Sequence, residues 1–150
     1  MGCDPVEILL VEDNPDDEQL LLFAFEKYKI IESSKIHVAR DGIEALEYIF
    51  GTSEDNDLFI RHQPRLILLD LSLPKLHGLE VLKKIKSHPI ARNIPVVVLT
   101  GSEKKEDWLD AHALGADSYL QKTGELSLFI EAAGWAILSA IDVASSSCYQ

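Results

Sequence analysis

Arg65 to Leu76 reads R-L-I-L-L-D-L-S-L-P-K-L, and this stretch decides the fold. An unbroken apolar run leads into Asp70. Such a run suits a strand buried on both faces, as in a parallel sheet, because a strand with one wet face alternates instead. Pro74 ends regular pairing, and Gly78 follows it by four residues. A single carboxylate thus stands at the carboxyl end of a central buried strand. Open α/β sheets bind their ligands at that edge.

The flanking sequence supplies the rest of such a sheet. Val6 to Val11 (V-E-I-L-L-V) is a second buried strand and runs into Glu12-Asp13-Asn14-Pro15. Asn14 suits an N-cap, Pro15 a first helical position, and Asp16 and Asp17 the positive end of the helix dipole. The helix is expected to reach about Lys29, with Leu21, Ala24, Phe25 and Tyr28 on its core stripe and Phe23 nearly opposite. Lys35 to Ala39 alternates, as a strand near a sheet edge does. Asp41-Gly42 turns the chain into a helix from Ile43 to Phe50, with Ala45, Leu46, Ile49 and Phe50 available for packing. Gly51 to Pro64 is polar and longer than most such connections. It reads as an exposed insertion, with Leu58, Phe59 and Ile60 an extra helical turn or a small contact patch.

After the Asp70 strand, Leu79 to Ser87 is helical, with Leu79, Leu82 and Ile85 on one stripe and His88-Pro89 as its stop. Ile94 to Leu99 (I-P-V-V-V-L) is the third strongly β run and ends at Thr100-Gly101. Glu103 to Leu114 is a helix closed by Gly115. Asp117 to Gln121 is a short last strand ending at Lys122, and Leu126 to about Ile141 is the final helix. The core is expected over 6–141 and a frayed tail over 142–150. The order is β-α repeated five times, which implies an α/β fold: a parallel sheet with helices on both faces and right-handed crossovers.

Composition narrows the function. A chain of 150 residues is most simply one domain, and 47% apolar with 26% charged residues is ordinary for a globular protein. No apolar run approaches the roughly 20 residues of a membrane span, and Met1 to Glu7 has no signal-peptide pattern. Fourteen basic against 25 acidic residues leave a net charge of −11, which excludes a nucleic-acid surface built on a basic stripe. Cys3 and Cys148 lie near opposite ends and form neither a disulfide framework nor a metal spacing, so a reducing cytoplasm is expected.

The ends of the strands carry the chemistry. The first gives Glu12 and Asp13, the Asp70 strand gives Asp70, and the later ones give Thr100 and Lys122. Each alone is an ordinary turn or surface residue, but all fall on one edge of one sheet. Three converging carboxylates repel one another, and a divalent ion offsets that repulsion. Mg²⁺ prefers a few carboxylates, waters and a phosphate oxygen. A hydroxyl and an ammonium beside them supply donors to phosphoryl oxygens. An Asp carboxylate is an established phosphoryl acceptor.

Four motifs, V-E-D-N at 11–14, L-L-D-L-S-L-P at 68–74 followed by Gly78, V-V-V-L-T-G at 96–101 and G-A-D-S-Y-L-Q-K at 115–122, make the chain resemble the receiver domains of two-component response regulators. The resemblance covers nearly the whole length. It implies a flavodoxin-like doubly wound (βα)5 fold with strand order 2-1-3-4-5. It implies that Asp70 is the phospho-acceptor and that Asp13 binds Mg²⁺ directly. Glu12 would act mostly through metal-bound water, and the Ser72 backbone carbonyl would be a further ligand. Thr100 and Lys122 would contact the phosphoryl group. Tyr119 matches the aromatic switch position, which moves together with Thr100. The phosphoryl donor would be a sensor histidine kinase, and self-dephosphorylation would be slow. Receivers usually have Lys-Pro where this chain has Lys122-Thr123, and trans is the expected isomer there, since a non-proline cis bond costs roughly 3 kcal/mol. The non-proline residue, the long segment 51–64 and the L-P-K-x-x-G wording resemble the small receivers that serve bacterial phytochromes. A stand-alone receiver would signal by binding a downstream protein or by passing its phosphoryl group on.

Other readings fit less well. A haloacid-dehalogenase-like phosphohydrolase wants a second Asp where Ser72 stands. A flavodoxin-like FMN carrier needs phosphate-cradling residues where Glu12 and Asp13 would repel the phosphate. A degenerate receiver serving only as a binding module would not need the complete acidic, Thr and Lys set. His37, His62, His77, His88 and His112 share no metal spacing and read as structural or exposed; His77 follows Asp70 closely enough to influence access. In the last helix Leu126, Phe129, Ile130, Ala133, Ile137 and Ile141 make a core stripe, while Leu128 and Trp135 fall opposite and Trp108 lies in the preceding helix. A helix apolar on both sides suggests a partner, so a homodimer through Trp108, Leu128 and Trp135 is expected.

Overall fold

The computed structural model describes residues 8–27, 35–52, 60–101 and 105–122. The strands are β1 (Ile8–Val11), β2 (Ile36–Ala39), β3 (Leu66–Asp70), β4 (Val96–Thr100) and β5 (Ser118–Gln121). The helices are α1 (Pro15–Lys27), α2 (Gly42–Phe50), α3 (Gly78–Ser87) and α4 (Lys105–Ala113). All five strands pair in parallel, in the order β2-β1-β3-β4-β5. The expected sheet and its strand order are thus the observed ones. The final helix expected from Leu126, with Leu128 and Trp135, lies outside the described residues, as do Leu58, Phe59 and Thr123.

Burial follows the reading of the apolar runs. Every residue of β1, β3 and β4 is buried. The edge strands β2 and β5 keep partly exposed positions, which is why β2 alternates. Alternate strand residues feed two cores. Leu9, Val11, Ile67, Leu69, Val96 and Val98 meet α2, α3 and α4 through Ile49, Leu82, Ile85 and Ala111. Ile8, Leu10, Leu66, Leu68, Val97 and Leu99 meet Leu21 and Phe25 of α1. A fully buried Leu or Ile contributes about 1.5–3 kcal/mol, so these strands hold the sheet's central edge fixed. Phe23 is exposed on α1, as its position on the wheel requires.

The caps are local. Asn14 Oδ1 accepts from the Asp16 N–H at 2.9 Å, and Asp41 Oδ1 from the Glu44 N–H at 2.7 Å. His77 does the same for α3: its Nδ1 accepts from the Leu79 N–H at 3.1 Å. His88 is buried against Phe50, and its Nδ1 accepts from the N–H groups of Ile90 and Ala91.

The loop from Asp70 to α3 is set by close approach. A Cβ on Gly78 would lie 2.5 Å from the Asp70 carbonyl oxygen and from the Leu71 Cα. The Gly78 N–H also donates to the Leu71 carbonyl at 3.0 Å. Glycine here lets α3 begin directly against the end of β3. Lys75 holds the loop's tight bend at φ +67° and reaches Asp41 at 3.3 Å.

Within 51–64, read as an exposed insertion with a contact patch at Leu58, Phe59 and Ile60, the described end is tied to the domain. Ile60 packs on the main core, and the N–H groups of Arg61 and His62 both donate to the Ile49 carbonyl. His62 then stacks on Tyr48 at 4.3 Å, and Tyr48 on His37 at 4.0 Å, tying the segment to α2 and β2. Burial, and secondarily His62, hold the His37 imidazole below its ordinary 6.5, against the opposing pull of Glu44.

Two measurements check this framework. Gly78→Ala should cost about 2 kcal/mol, because the clash is with backbone, and lower the Tm by roughly 5 °C. A melt unchanged from wild type would mean that the loop gives way freely. For His37 the unfolded chain binds the proton more readily than the folded one, so stability is complete above the ordinary pKa and is lost as pH falls through it. Thermal melts from about pH 7.5 to 5.5 should therefore fall further for wild type than for His37→Phe, which keeps a ring in the stack. Parallel curves would remove His37 from that dependence.

Candidate functional site at the carboxyl edge of the sheet

Adjacent strands bring their ends to one place. Beyond β1 the Glu12 N–H donates to the Ala39 carbonyl at 3.0 Å, so the ladder continues one residue past the strand. The Glu12 side chain is thereby buried, and its Oε1 accepts from the Asn14 N–H at 3.1 Å. Asp70 is the last residue of β3 and only 3% exposed; its Oδ1 accepts from the Ser72 N–H at 2.9 Å. Thr100 ends β4, and its carbonyl accepts from the Lys122 N–H at 2.7 Å. That bond sets Lys122 just past the carboxyl end of β5.

Lys122 then gathers the carboxylates. Its Nζ donates to Glu12 Oε2 at 2.7 Å, Asp17 Oδ2 at 2.8 Å and Asp70 Oδ2 at 2.9 Å. Burial alone would lower its pKa; the bonds to Asp17 and Glu12, helped by the charge of Asp70, reverse this and hold the ammonium firmly charged. Burial also pushes the Glu12 carboxyl up to about 7, with the hydrogen bond to Asp70 adding to it and Lys122 opposing. Three carboxylates share this one ammonium, so the edge is short of positive charge even with its lysine in place.

Glu12, Asp13 and Asp70 each offer an oxygen, and these oxygens lie within 4.8 Å of one another. Asp13 is exposed, so the cluster opens to water on one side. A hard divalent cation that takes a few carboxylates and keeps its waters fits this donor set. Ser72 lies in the adjoining loop, its N–H already engaged by Asp70.

Tyr119 of β5 stands on the far side of Thr100. Its ring meets Trp108 of α4 with centroids 4.6 Å apart, and its hydroxyl is buried without a hydrogen bond of good geometry. Burial pushes its pKa up, while Thr100 and Trp108 stand close enough to oppose this. Trp108 and Leu109 leave exposed surface on α4. Leu128 and Trp135, the other expected interface residues, lie outside the described residues.

Asp17 was missed by the sequence reading, which gave it only a place in the first turn of α1. A signal existed. Helical Cα–Cβ bonds tilt toward the N-terminus, so a first-turn carboxylate on a helix that follows β1 leans back over the same edge.

The receiver-domain model for response regulators matches residues 8–133. A probable methanogenesis regulatory protein, FilR2 of Methanothrix harundinacea, is 44% identical over 119 residues, which span 79% of this chain and 73% of that protein. Response regulator Rcp1 of Synechocystis is 38% identical over 122 residues, spanning 81% and 80%. The Mn(2+)-bound form of a response regulator Rcp1 superposes with a TM-score of 0.75 at 35% identity, covering 87% of this chain and 91% of that one. The phosphorylated cyanobacterial phytochrome response regulator RcpA superposes with a TM-score of 0.73 at 35% identity, covering 87% of this chain and 90% of that one. The match begins at the first residue of β1 and runs past Lys122, so the whole acidic edge falls within it, and the chain belongs to the response regulator receiver domain family.

Proposed function

We propose that this receiver is a Mg²⁺-dependent phospho-aspartate switch, charged by a sensor histidine kinase of the phytochrome type. The observation that carries the reading is the convergence of three carboxylates with Lys122 at one sheet edge, where Asp70 is held by two donors. In the transfer a carboxylate oxygen of Asp70 attacks the kinase phosphohistidine. The P–N bond breaks, an acyl-phosphate P–O bond forms, and the histidine leaves with the electron pair. Glu12, Asp13, Asp70 and the Ser72 carbonyl would hold Mg²⁺, which when bound supplies charge neutralisation for the phosphoryl oxygens. Lys122 and the Thr100 hydroxyl supply further donors. Thr100 then turns to the phosphoryl group and leaves space for the Tyr119 ring, which couples the site to the α4–β5 surface.

The kinase class rests on the likeness to Rcp1 and RcpA. Cytoplasmic work suits the partner, and among the described residues no helix is long and apolar enough to cross a membrane. A homodimer through Trp108 and the residues beyond 122 is part of the same reading, supported by the exposure of Trp108 and Leu109. The output passes to a partner protein or onward by phosphotransfer.

Incubation with acetyl phosphate and Mg²⁺ should add one phosphoryl group by intact mass, and Asp70→Asn or removal of Mg²⁺ should abolish the gain. A wild type that gains nothing and also fails to bind beryllofluoride would sink the switch reading. Light scattering at high micromolar concentration should give a dimer; a monomer there rules out the proposed interface.

A further inference from the structure

The three carboxylate partners of Lys122 are not equivalent. Glu12 and Asp70 belong to the converging set that includes Asp13. Asp17 stands outside that set, although its Oδ2 is 2.8 Å from the ammonium. Two of the three groups that hold Lys122 are therefore wanted by a divalent cation as well, and two cations at short range repel. We propose that Asp17 is a positioning residue: it keeps Lys122 seated when Glu12 and Asp70 turn to the cation, and so sets how tightly the acidic edge binds it. This rests on the metal reading above and deepens it.

The placement suits the task. The Glu12 and Asp70 side chains are 0% and 5% exposed, whereas that of Asp17 is 28% exposed. An ion pair moved toward the rim keeps part of its hydration, so Lys122 can shift its weight to Asp17 without a large desolvation cost. The Asp17 backbone is fixed by the start of α1, its N–H donating to Asn14 Oδ1 at 3.4 Å. The seat therefore stays in place while the other two partners change theirs.

Calorimetric titration with Mg²⁺ tests this on wild type, Asp17→Asn, Lys122→Met and the double variant. Asp17→Asn should weaken apparent affinity about two- to fivefold, the worth of one partly exposed ion pair. Lys122→Met should tighten it, by removing the competing cation. In the Lys122→Met background the Asp17 substitution should lose most of its effect. Asp17→Ser repeats the measurement if the Asn variant folds poorly. An equal loss in both backgrounds overturns the proposal, because Asp17 would then act as a plain negative charge. No loss in either background overturns it too while leaving the metal reading intact. A wild type that takes up no Mg²⁺ at millimolar concentration removes the metal reading, and this inference with it.

Discussion

Charge balance at the carboxyl ends of β1 and β3 is the constraint on which the site depends. The strand order places β1 beside β3, so Glu12 and Asp70 must end side by side. Two buried carboxylates in contact are costly, and burial together with Asp70 disfavours the charged form of Glu12. Lys122 offsets that cost from β5, two strands away from β3, and it can do so only because its N–H is hooked to the Thr100 carbonyl. A chain that lost this hook would keep its sheet and lose the alignment of its ammonium.

The scaffold around the edge is stiff where the chemistry needs it. Asp70 and Thr100 each close a strand whose residues are all buried, so neither can shift without moving both cores. The contact of Gly78 with the end of β3 and that of Gly42 with the Leu76 carbonyl brace the intervening loop. Asp13 and Lys122 sit just beyond strands, where side chains can re-pair at little cost to packing, and Asp17 is anchored separately by the first turn of α1. Fixed acceptors and movable partners are thus divided by their place in the fold.

The fold was legible because its three central strands are apolar at nearly every position, a pattern that only burial on both faces explains. The edge residues followed, since in a parallel sheet all strand ends share one side. Contacts between segments that carry no period of their own were not legible. The stack of His37, Tyr48 and His62 joins β2, α2 and the chain after the insertion, and nothing in the spacing of these residues announces it. The contact of Ile60 was legible only as one of the options for the apolar run Leu58 to Ile60, because three apolar residues in a polar stretch are too few to fix which face packs on the core. Asp17 was obscured by a sufficient local role in the helix dipole. The cap role of His77 depends on a β-region φ and ψ that composition does not specify.

Tyr119 is held by a small balance of opposing contributions. Facing inward, its ring keeps the contact with Trp108, but its hydroxyl is buried without a hydrogen bond of good geometry, with Thr100 only near it. An aromatic pair contributes about 0.5–1.5 kcal/mol beyond area burial. A buried polar group without a good partner costs about 1–3 kcal/mol. The two are of similar size and opposite sign, so the inward ring is held by a narrow margin together with the rest of its packing. Thr100 stands between this hydroxyl and Asp70, one strand from each. Under the proposed function, a phosphoryl group that engages the Thr100 hydroxyl withdraws the nearest polar neighbour from Tyr119. The margin then tips toward a ring whose hydroxyl meets water, and the surface beside Trp108 changes shape. Coupling of this kind needs no long chain of contacts, only two states of one side chain that lie close in energy.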